Sequence, residues 1–363
     1  MAEAGAEAPR TGLNRAERVV LAAVGVATVL AGVARYAHGF SEPVAFVLAA
    51  LALAGLAWIV SFATEQVGGR YGAPITGVLQ STLGNLPEFF VVIFALNAGE
   101  LVVAQTALLG SILVNALLVL GAVVVAGAAH AKDGVMRFSR RLPNDTATLL
   151  LSSTFIIVLI GLSISTHSVA GHHTTALSII GSILLLVVYG LWLWGYLRSD
   201  EGPPETAAKP RVSLLVSLVL LAVAGTASAF VSDWFVHALT PTINAAHITR
   251  AFAGLVIVAI AGNAVENVAG IVLAAKGQSD LAISVVKNSV AQIAAFLFPL
   301  LVLVSLLTTT TLTFAISPVY IGALFGTAVI VWQITGDGEA TYFEGAALMG
   351  AFAILSAVAW FGT

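Results

Sequence analysis

Two five-residue stretches, Gly84-Asn85-Leu86-Pro87-Glu88 and Gly262-Asn263-Ala264-Val265-Glu266, determine how this sequence of 363 residues is interpreted. Each contains a glycine, an asparagine and a glutamate in the same order, and each lies within a long apolar segment. The second stretch begins 178 positions after the first. At the same offset and without a gap, the sequence also pairs Gly99 with Gly277 and Ser111 with Ser289. These matches predict an internal repeat.

The composition around these stretches indicates a membrane protein. Hydrophobic residues make up 59% of the chain and charged residues only 9%, whereas a soluble domain has about 25% charged residues. Most of the surface must therefore face lipid, which excludes a soluble enzyme, a disordered protein and a nucleic-acid-binding protein. The net charge of −3 suggests no polyanionic partner, and the absence of cysteine excludes disulfides and thiolate metal sites.

Apolar runs long enough to cross about 30 Å of hydrocarbon recur along the chain. They predict an all-α integral membrane fold with about eleven transmembrane helices. We place these helices near residues 18–36, 43–62, 73–97, 101–129, 145–166, 175–197, 211–232, 249–275, 278–306, 312–334 and 343–361.

The basic residues predict the orientation, because Lys and Arg are retained on the cytoplasmic side. Twelve of the fifteen fall on the side of the N-terminus, only Arg35 and Arg250 fall on the other side, and Lys287 lies within a span. We therefore expect a cytoplasmic N-terminus and an external C-terminus, in the plasma (inner) membrane.

The offset and the span count together predict the domain organisation. Residues 1–17 form a disordered cytoplasmic tail, 18–36 an extra helix, 43–197 the first repeat, 198–210 a cytoplasmic linker and 211–361 the second repeat. Five helices per repeat is an odd number, so the second repeat enters the membrane from the opposite side. Inverted repeats of this kind are typical of secondary transporters, whose ion sites lie near the midplane.

Two glutamates are the candidate ion ligands. Of eighteen acidic residues, only Glu88 and Glu266 lie about halfway along an apolar run, where a charge costs about 2.5–3.5 kcal/mol on insertion scales. A protonated pair hydrogen-bonded between helices is one interpretation, and a cation and proton site is the one we favour. Gly84 and Gly262 weaken the helix before each glutamate, and an unwound turn exposes carbonyl oxygens to a cavity.

Further oxygen donors complete the predicted site. Asn85 and Asn263 lie in the motifs, Ser111 and Asn115 share one helix face, and Asn288, Ser289 and Gln292 occupy the equivalent stretch of the ninth span. An all-oxygen cage with two carboxylates suits a hard divalent cation and disfavours zinc or copper. Each small polar residue alone is also consistent with helix packing.

These motifs resemble the calcium–proton exchanger branch of the cation/Ca²⁺ antiporter superfamily. The resemblance rests on residues 84–88 with 109–115 and on 262–266 with 288–293, and runs from about residue 60 to the end. It implies that Glu88 and Glu266 bind the transported Ca²⁺ and exchange it for protons, without a cofactor. Asn267 and Lys287 depart from the family pattern, and Lys287 is expected to point away from the site or to alter selectivity toward monovalent cations.

The sequence thus predicts a transporter and not an enzyme: a Ca²⁺/H⁺ antiporter that exports Ca²⁺ by alternating access. The alternatives are a Na⁺(K⁺)/H⁺ antiporter on the same scaffold and, less favoured, a cation channel. Glu65 and Glu344 form either an acidic cytoplasmic vestibule or ordinary interfacial charges. The adjacent His172 and His173 are interpreted as solvated loop residues rather than as sensors of external pH.

Overall fold

The computed structural model describes residues 12–37, 39–71, 79, 83–139, 141–198 and 210–362. For residues 141–145, 196, 197 and 266 it describes the backbone alone. The described chain is almost entirely helical. Its helices are α1 (Arg15–Tyr36), α2 (Glu42–Tyr71), α3 (Leu86–Asn97), α4 (Leu101–His130), α5 (Arg141–Ser165), α6 (Thr174–Arg198), α7 (Leu214–Ala246), α8 (Arg250–Gly262), α9 (Ala264–Ala275), α10 (Ser279–Leu307), α11 (Pro318–Thr335) and α12 (Tyr342–Phe361).

The predicted all-α membrane fold is confirmed. Nine helices in the described part of the chain are long and apolar enough to cross a membrane, and α8 with α9, bent by 59°, would form a tenth. The short apolar helix α3 is the described part of the predicted span 73–97, because most of residues 73–82 lie outside the description. The count of eleven therefore stays a prediction.

Several helix ends differ from the predicted ones. Helix α1 begins at Arg15 rather than at residue 18, because Asn14 and Glu17 form a capping box that satisfies free N–H groups of the first turn. Residues 15–17 of the predicted disordered tail 1–17 are therefore helical. Residues 1–11 of that tail lie outside the described part of the chain. Helix α2 continues to Tyr71, well beyond the predicted residue 62.

Two tight turns have the same geometry at the predicted offset. Gly99, between α3 and α4, has φ +77°, and Gly277, between α9 and α10, has φ +75°. In each turn the glycine N–H donates to a carbonyl three residues earlier, and the following N–H donates to a carbonyl five residues earlier. Glycine is required here because the left-handed region is strained for residues with a Cβ.

These two turns lie on opposite faces of the molecule. Gly277 lies against His130, since a Cβ placed on it would be 2.6 Å from the His130 Nε2 atom. Gly99 precedes the other end of the same helix α4, about 45 Å away for 30 residues at 1.5 Å each. The second unit is therefore inverted relative to the first. We call the face on which α1 begins at Arg15 the proximal face and the other the distal face.

Close contact between α4 and α8 lies at the centre of the fold. A Cβ on Gly110 of α4 would lie 2.6 Å from the Leu255 Cα atom, and a Cβ on Gly254 of α8 would lie 2.8 Å from the Val103 carbonyl oxygen. The two backbones touch because both positions lack a side chain. In lipid, where no hydrophobic force drives helices together, such small-residue contacts supply the packing energy.

A two-stranded sheet joins the two halves of the chain at the proximal face. Strand β1 (Val135–Arg137) pairs antiparallel with β2 (Glu339–Thr341). Arg137 donates to Asp133 at 2.7 Å and to Glu339 at 3.3 Å. The hydrogen bond from Arg137 lowers the pKa of the Asp133 carboxyl below its usual value. The loop after α4 is thereby fastened to the loop between α11 and α12.

Alanine at Gly110 should destabilise the protein. The new methyl group would meet the backbone of Leu255, which cannot rotate away, and overpacking of this kind costs about 1–3 kcal/mol. The matched control is Gly326→Ala on α11, where nothing lies within 4 Å of the added atom. Thermal unfolding in detergent should show a lower Tm for Gly110→Ala and an unchanged or higher Tm for Gly326→Ala. Equal Tm values for the two variants would contradict the tight α4–α8 contact.

Candidate ion-binding site

Both motif asparagines lie at helix breaks. Asn85 (φ −92°, ψ 17°) directly precedes α3, and Asn263 (φ −96°, ψ 12°) separates α8 from α9. These dihedral angles fall in the sparsely populated bridge region, and they are nearly identical in the two repeats. The Asn263 side chain supports its own break by donating from Nδ2 to the Ala259 carbonyl oxygen at 2.9 Å. The break that the motif glycines predict is therefore present in the structure.

Each glutamate occupies the same place relative to its break. Glu88 is the third residue of α3, and Glu266 is the third residue of α9. The first turn of a helix carries unsatisfied N–H groups and a partial positive charge, which favours a carboxylate there. Proline is also well tolerated in this turn, and Pro87 is the second residue of α3. The backbone thus prepares equivalent positions for two negative charges.

The first glutamate contacts the second motif. A Cβ placed on Gly262 would lie 3.2 Å from both the Cγ and Oε1 atoms of Glu88. The carboxyl group therefore packs against the bare backbone of Gly262, one turn before Glu266 in the sequence. The Glu266 side chain lies outside the described part of the structure. The two motifs nevertheless meet, as the inverted repeat predicts.

A crevice opens beside Glu88. Its volume of about 400 Å³ includes space that is open to the surroundings, and Glu88, Ser111 and Gly262 contribute its polar lining. The rest of its wall is apolar and includes Leu53, Val91, Leu108, Phe235 and Val258. A carboxyl group in such surroundings is poorly solvated, so its charge needs a proton or a cation for compensation.

A buried hydrogen-bond network extends from this crevice. Asn263 Nδ2 donates to the Ser111 Oγ atom at 2.8 Å. Asn115 Nδ2 donates to the Asn263 Oδ1 atom at 3.0 Å and to the Ser289 Oγ atom at 3.0 Å. All four side chains are buried. The network joins α4, the break before α9 and α10, and it brings together four of the residues that the sequence selected.

Helices α4 and α10, which contribute to the network, each contain a π-helical segment. Val114–Val119 in α4 and Ile293–Leu297 in α10 are π-helical, and they lie at nearly equivalent positions of the two repeats. Single π-helical turns are rare and often occur at functional sites. Asn115 lies within the first such turn, and Gln292 directly precedes the second.

The other predicted donors surround this centre. Asn85 is buried and Gly84 is half-buried in the turn before α3, while Asn288 and Gln292 are half-buried on α10. Asn267, which follows Glu266, and Asn288 each have a buried Oδ1 atom without a hydrogen-bond partner in the described part of the chain. Their oxygens are available to a further ligand.

The side chain of Lys287 points away from the crevice. It is 4% exposed, and its Nζ atom donates to the Thr335 Oγ1 atom of α11 at 2.6 Å. It lines a separate cavity of about 240 Å³ with residues of α5 and α11, among them Leu150 and Val331. The lysine thus places no positive charge in the crevice that contains Glu88.

The predicted vestibule residues lie apart from the crevice. Glu65 is exposed near the proximal end of α2. Glu344 forms a capping box at the start of α12, where its Oε2 atom accepts from the Thr341 N–H at 2.8 Å. Neither residue lines the crevice, and the vestibule stays a prediction.

One ion pair at the distal face was not foreseen from the sequence. Glu100, at the turn before α4, accepts from Arg250 Nε at 2.8 Å and from the Thr240 hydroxyl at 2.9 Å. Its side chain is only 12% exposed. The pair joins the first repeat to α7 and α8. No local motif could have indicated it, because its partners are 140 and 150 residues away in the sequence.

Leucine at Asn115 should destabilise the network. The change removes both hydrogen bonds that Asn115 donates and leaves buried acceptors unpaired, at about 1–3 kcal/mol each. Asn267→Leu is the matched control, because the Asn267 Oδ1 atom has no hydrogen bond to lose. We expect thermal unfolding in detergent to give a clearly lower Tm for Asn115→Leu than for Asn267→Leu. The reverse order would show that the network does not stabilise the fold.

Comparisons with known proteins identify the family of this chain. A sequence model of the family described as sodium/calcium exchanger protein matches residues 41–197 and 216–361. The vacuolar calcium ion transporter of Schizosaccharomyces pombe is 32% identical over 318 residues, which cover 85% of this chain and 77% of that protein. A Ca²⁺/H⁺ antiporter of Synechocystis is 29% identical over 347 residues, covering 89% and 92% of the two chains.

Solved structures share the fold. The structure of native YfkE is similar with a TM-score of 0.78 and 25% identity, over 95% of this chain and 99% of that one. The H⁺/Ca²⁺ exchanger CAX has a TM-score of 0.77 at 16% identity, over 96% and 93% of the two chains, and at that identity the likeness concerns the fold alone. Since the family match covers well over half of the sequence, this chain belongs to the sodium/calcium exchanger protein family.

Proposed function

We propose that this protein is a secondary-active Ca²⁺/H⁺ antiporter that uses Glu88 and Glu266 as alternating ligands for Ca²⁺ and protons. The observation that carries the proposal is the contact between the Glu88 carboxyl group and Gly262 of the second motif. It brings the acid of one repeat to the helix break of the other. The names of the relatives from Schizosaccharomyces pombe and Synechocystis support the choice of Ca²⁺ and of protons.

Competition for the same oxygens couples the two ions. A carboxyl group beside an apolar crevice is stable when it is protonated or when it binds a cation, because an isolated charge there is costly. Binding of Ca²⁺ therefore requires the glutamates to release protons, and protonation releases Ca²⁺. Two carboxylates neutralise a divalent cation, and amide and hydroxyl oxygens such as those of Asn263 and Ser111 are suitable ligands for Ca²⁺.

Alternating access couples the movement of Ca²⁺ to the movement of protons. If the site opens to one face at a time and changes sides only when loaded, an inward proton gradient drives Ca²⁺ out of the cytoplasm. Rocking of one group of helices against another around a fixed midplane site is the motion that inverted repeats support. The pair between Glu100 and Arg250 holds the repeats together at the distal face, so it must break when that face opens.

The basic residues support an orientation with the proximal face in the cytoplasm. Arg15 and Arg137 lie on that face together with most of the other basic residues, whereas the distal face has Arg35 and Arg250. With this orientation the plasma membrane is the proposed location, and export of Ca²⁺ is the proposed direction.

Glutamine at Glu88 or at Glu266 should abolish exchange. Glutamine keeps the size of the side chain but can neither release a proton nor neutralise Ca²⁺. The measurement is proton-driven uptake of ⁴⁵Ca²⁺ into inverted membrane vesicles, with Na⁺ and K⁺ as competitors. Glu339→Gln on the exposed strand β2 is the control and should transport like the wild type. Uptake at the normal rate by Glu88→Gln or Glu266→Gln would refute the mechanism, and abolition of uptake by Na⁺ would indicate a monovalent-cation antiporter instead.

Methionine at Lys287 should leave the ion selectivity unchanged. The lysine amino group bonds to Thr335, away from the crevice. If it faced the bound ion, a unit charge 4 Å from Ca²⁺ would be repelled by about 8 kcal/mol at an effective dielectric constant of 20, and its removal would raise the affinity for Ca²⁺ by orders of magnitude. Competition between ⁴⁵Ca²⁺ and Na⁺ in the same vesicles gives the answer. Thr335→Val, which removes only the hydroxyl partner, is the companion variant and should also keep the wild-type selectivity.

A further inference from the structure

A second polar cavity lies at the distal face, apart from the ion-binding site. It lies where α1 ends, α2 begins and α7 passes, and its volume of about 300 Å³ includes space that is open to the surroundings. Arg35, Glu42, Trp234 and His237 contribute its polar and aromatic lining, and alanines complete it. It shares no lining residue with the crevice that contains Glu88. The proposed exchange does not use it.

The Arg35 guanidinium has unused hydrogen-bonding capacity. Its Nε atom is buried and has no hydrogen-bond partner in the described part of the chain. A buried donor of this kind is costly unless a ligand satisfies it. The guanidinium lies over the ring of Tyr36, 5.3 Å from the ring centre, and this contact leaves its N–H groups free to donate. A planar fork of N–H donors matches the oxygens of a phosphate group.

A negative charge lines the same cavity without neutralising the arginine. Glu42 begins α2, and its side chain is exposed. None of the ion pairs in the described part of the chain joins Arg35 to Glu42, although both line the cavity. A positive and a negative group held apart in one cavity match a ligand that carries both charges, a phosphate near the arginine and an ammonium near the carboxylate.

The surroundings indicate that such a ligand comes from the membrane. Trp234 packs on Gly32, where a Cβ would lie 3.0 Å from the indole ring, and its ring centre is 6.1 Å from that of Tyr36. Trp and Tyr are enriched at the level of the lipid headgroups. Just below them, Val29 of α1 and Phe230 of α7 are 65% and 59% exposed, which provides an apolar surface for acyl chains.

We propose that this cavity binds the phosphoethanolamine headgroup of a membrane phospholipid. The phosphate accepts hydrogen bonds from Arg35, with the His237 imidazole as a further donor. The primary ammonium donates to the Glu42 carboxylate. A phosphatidylcholine headgroup carries the same two charges, but its quaternary ammonium has no N–H to donate to Glu42. The cavity therefore prefers phosphatidylethanolamine to phosphatidylcholine.

Native mass spectrometry of the full-length protein tests this assignment. The protein is released from nanodiscs that contain equal amounts of phosphatidylethanolamine, phosphatidylcholine and phosphatidylglycerol, and the retained lipids are identified. The variants are Arg35→Gln and Glu42→Gln. The matched control is Arg15→Gln, which changes an exposed arginine at the other end of α1. A second arm adds inorganic phosphate or free phosphoethanolamine to lipid-depleted protein and measures binding calorimetrically.

The expected pattern separates the two contacts. The wild type and Arg15→Gln retain phosphatidylethanolamine, Arg35→Gln loses retained phospholipid several-fold, and Glu42→Gln retains phosphatidylethanolamine and phosphatidylcholine equally. Equal retention by Arg35→Gln and the wild type would overturn the proposal. Preferential retention of phosphatidylglycerol would overturn it as well, because that lipid has no ammonium group to contact Glu42. Binding of inorganic phosphate as tight as that of the lipid would also overturn it, because free phosphate binds without a membrane. Ca²⁺ transport is not the readout, so the outcome does not depend on the proposed function.

Discussion

A carboxyl group at the depth of hydrocarbon needs polar partners, and the centre of this structure is arranged to provide them. Glu88 lies in the first turn of α3, where free N–H groups favour a negative charge. The neighbouring helix break at Asn263 can exist at this depth only because protein surrounds it. Its amide is held by Ser111 and Asn115 of α4. The contact between α4 and α8, where Gly110 meets Leu255, brings these groups within hydrogen-bonding distance.

Much of this centre could be predicted from the sequence, because the repeated motifs encode local geometry. The glycines Gly84 and Gly262, at one offset, predicted both breaks, and the i, i+4 spacing of Ser111 and Asn115 predicted their common face. The orientation of Lys287 could not be predicted, because it depends on how far α10 is rotated toward α11. The ion pair between Glu100 and Arg250 joins segments that are 150 residues apart, so no local sequence motif indicates it. Helix α2 continues through polar residues to Tyr71, whereas the apolar run used to predict the span ends before them.

The crevice beside Glu88 and the distal cavity, both in the described part of the chain, contain different arrangements of charge. In the crevice, Glu88 is surrounded mostly by apolar residues, which supports the ion exchange that we propose. In the distal cavity, Arg35 and Glu42 supply groups of opposite charge that form no ion pair with each other in the described part of the chain. The first arrangement suits the exchanged ions of the proposed mechanism, and the second suits the retained lipid headgroup that we propose.

The two hydrogen bonds that Asn115 donates, to Asn263 and to Ser289, make the two halves of the protein chemically unequal. Most of the central donors have a twin 178 residues away, but the position equivalent to Asn115 is Ile293, which cannot donate or accept through its side chain. In the proposed alternating-access cycle the two halves exchange roles, and the bonds from Asn115 then have no mirror image. A single such bond is worth about 1 kcal/mol, enough to populate one resting conformation several-fold over the other. In the proposed cycle, this difference between the halves of the protein favours one conformation of the unloaded carrier.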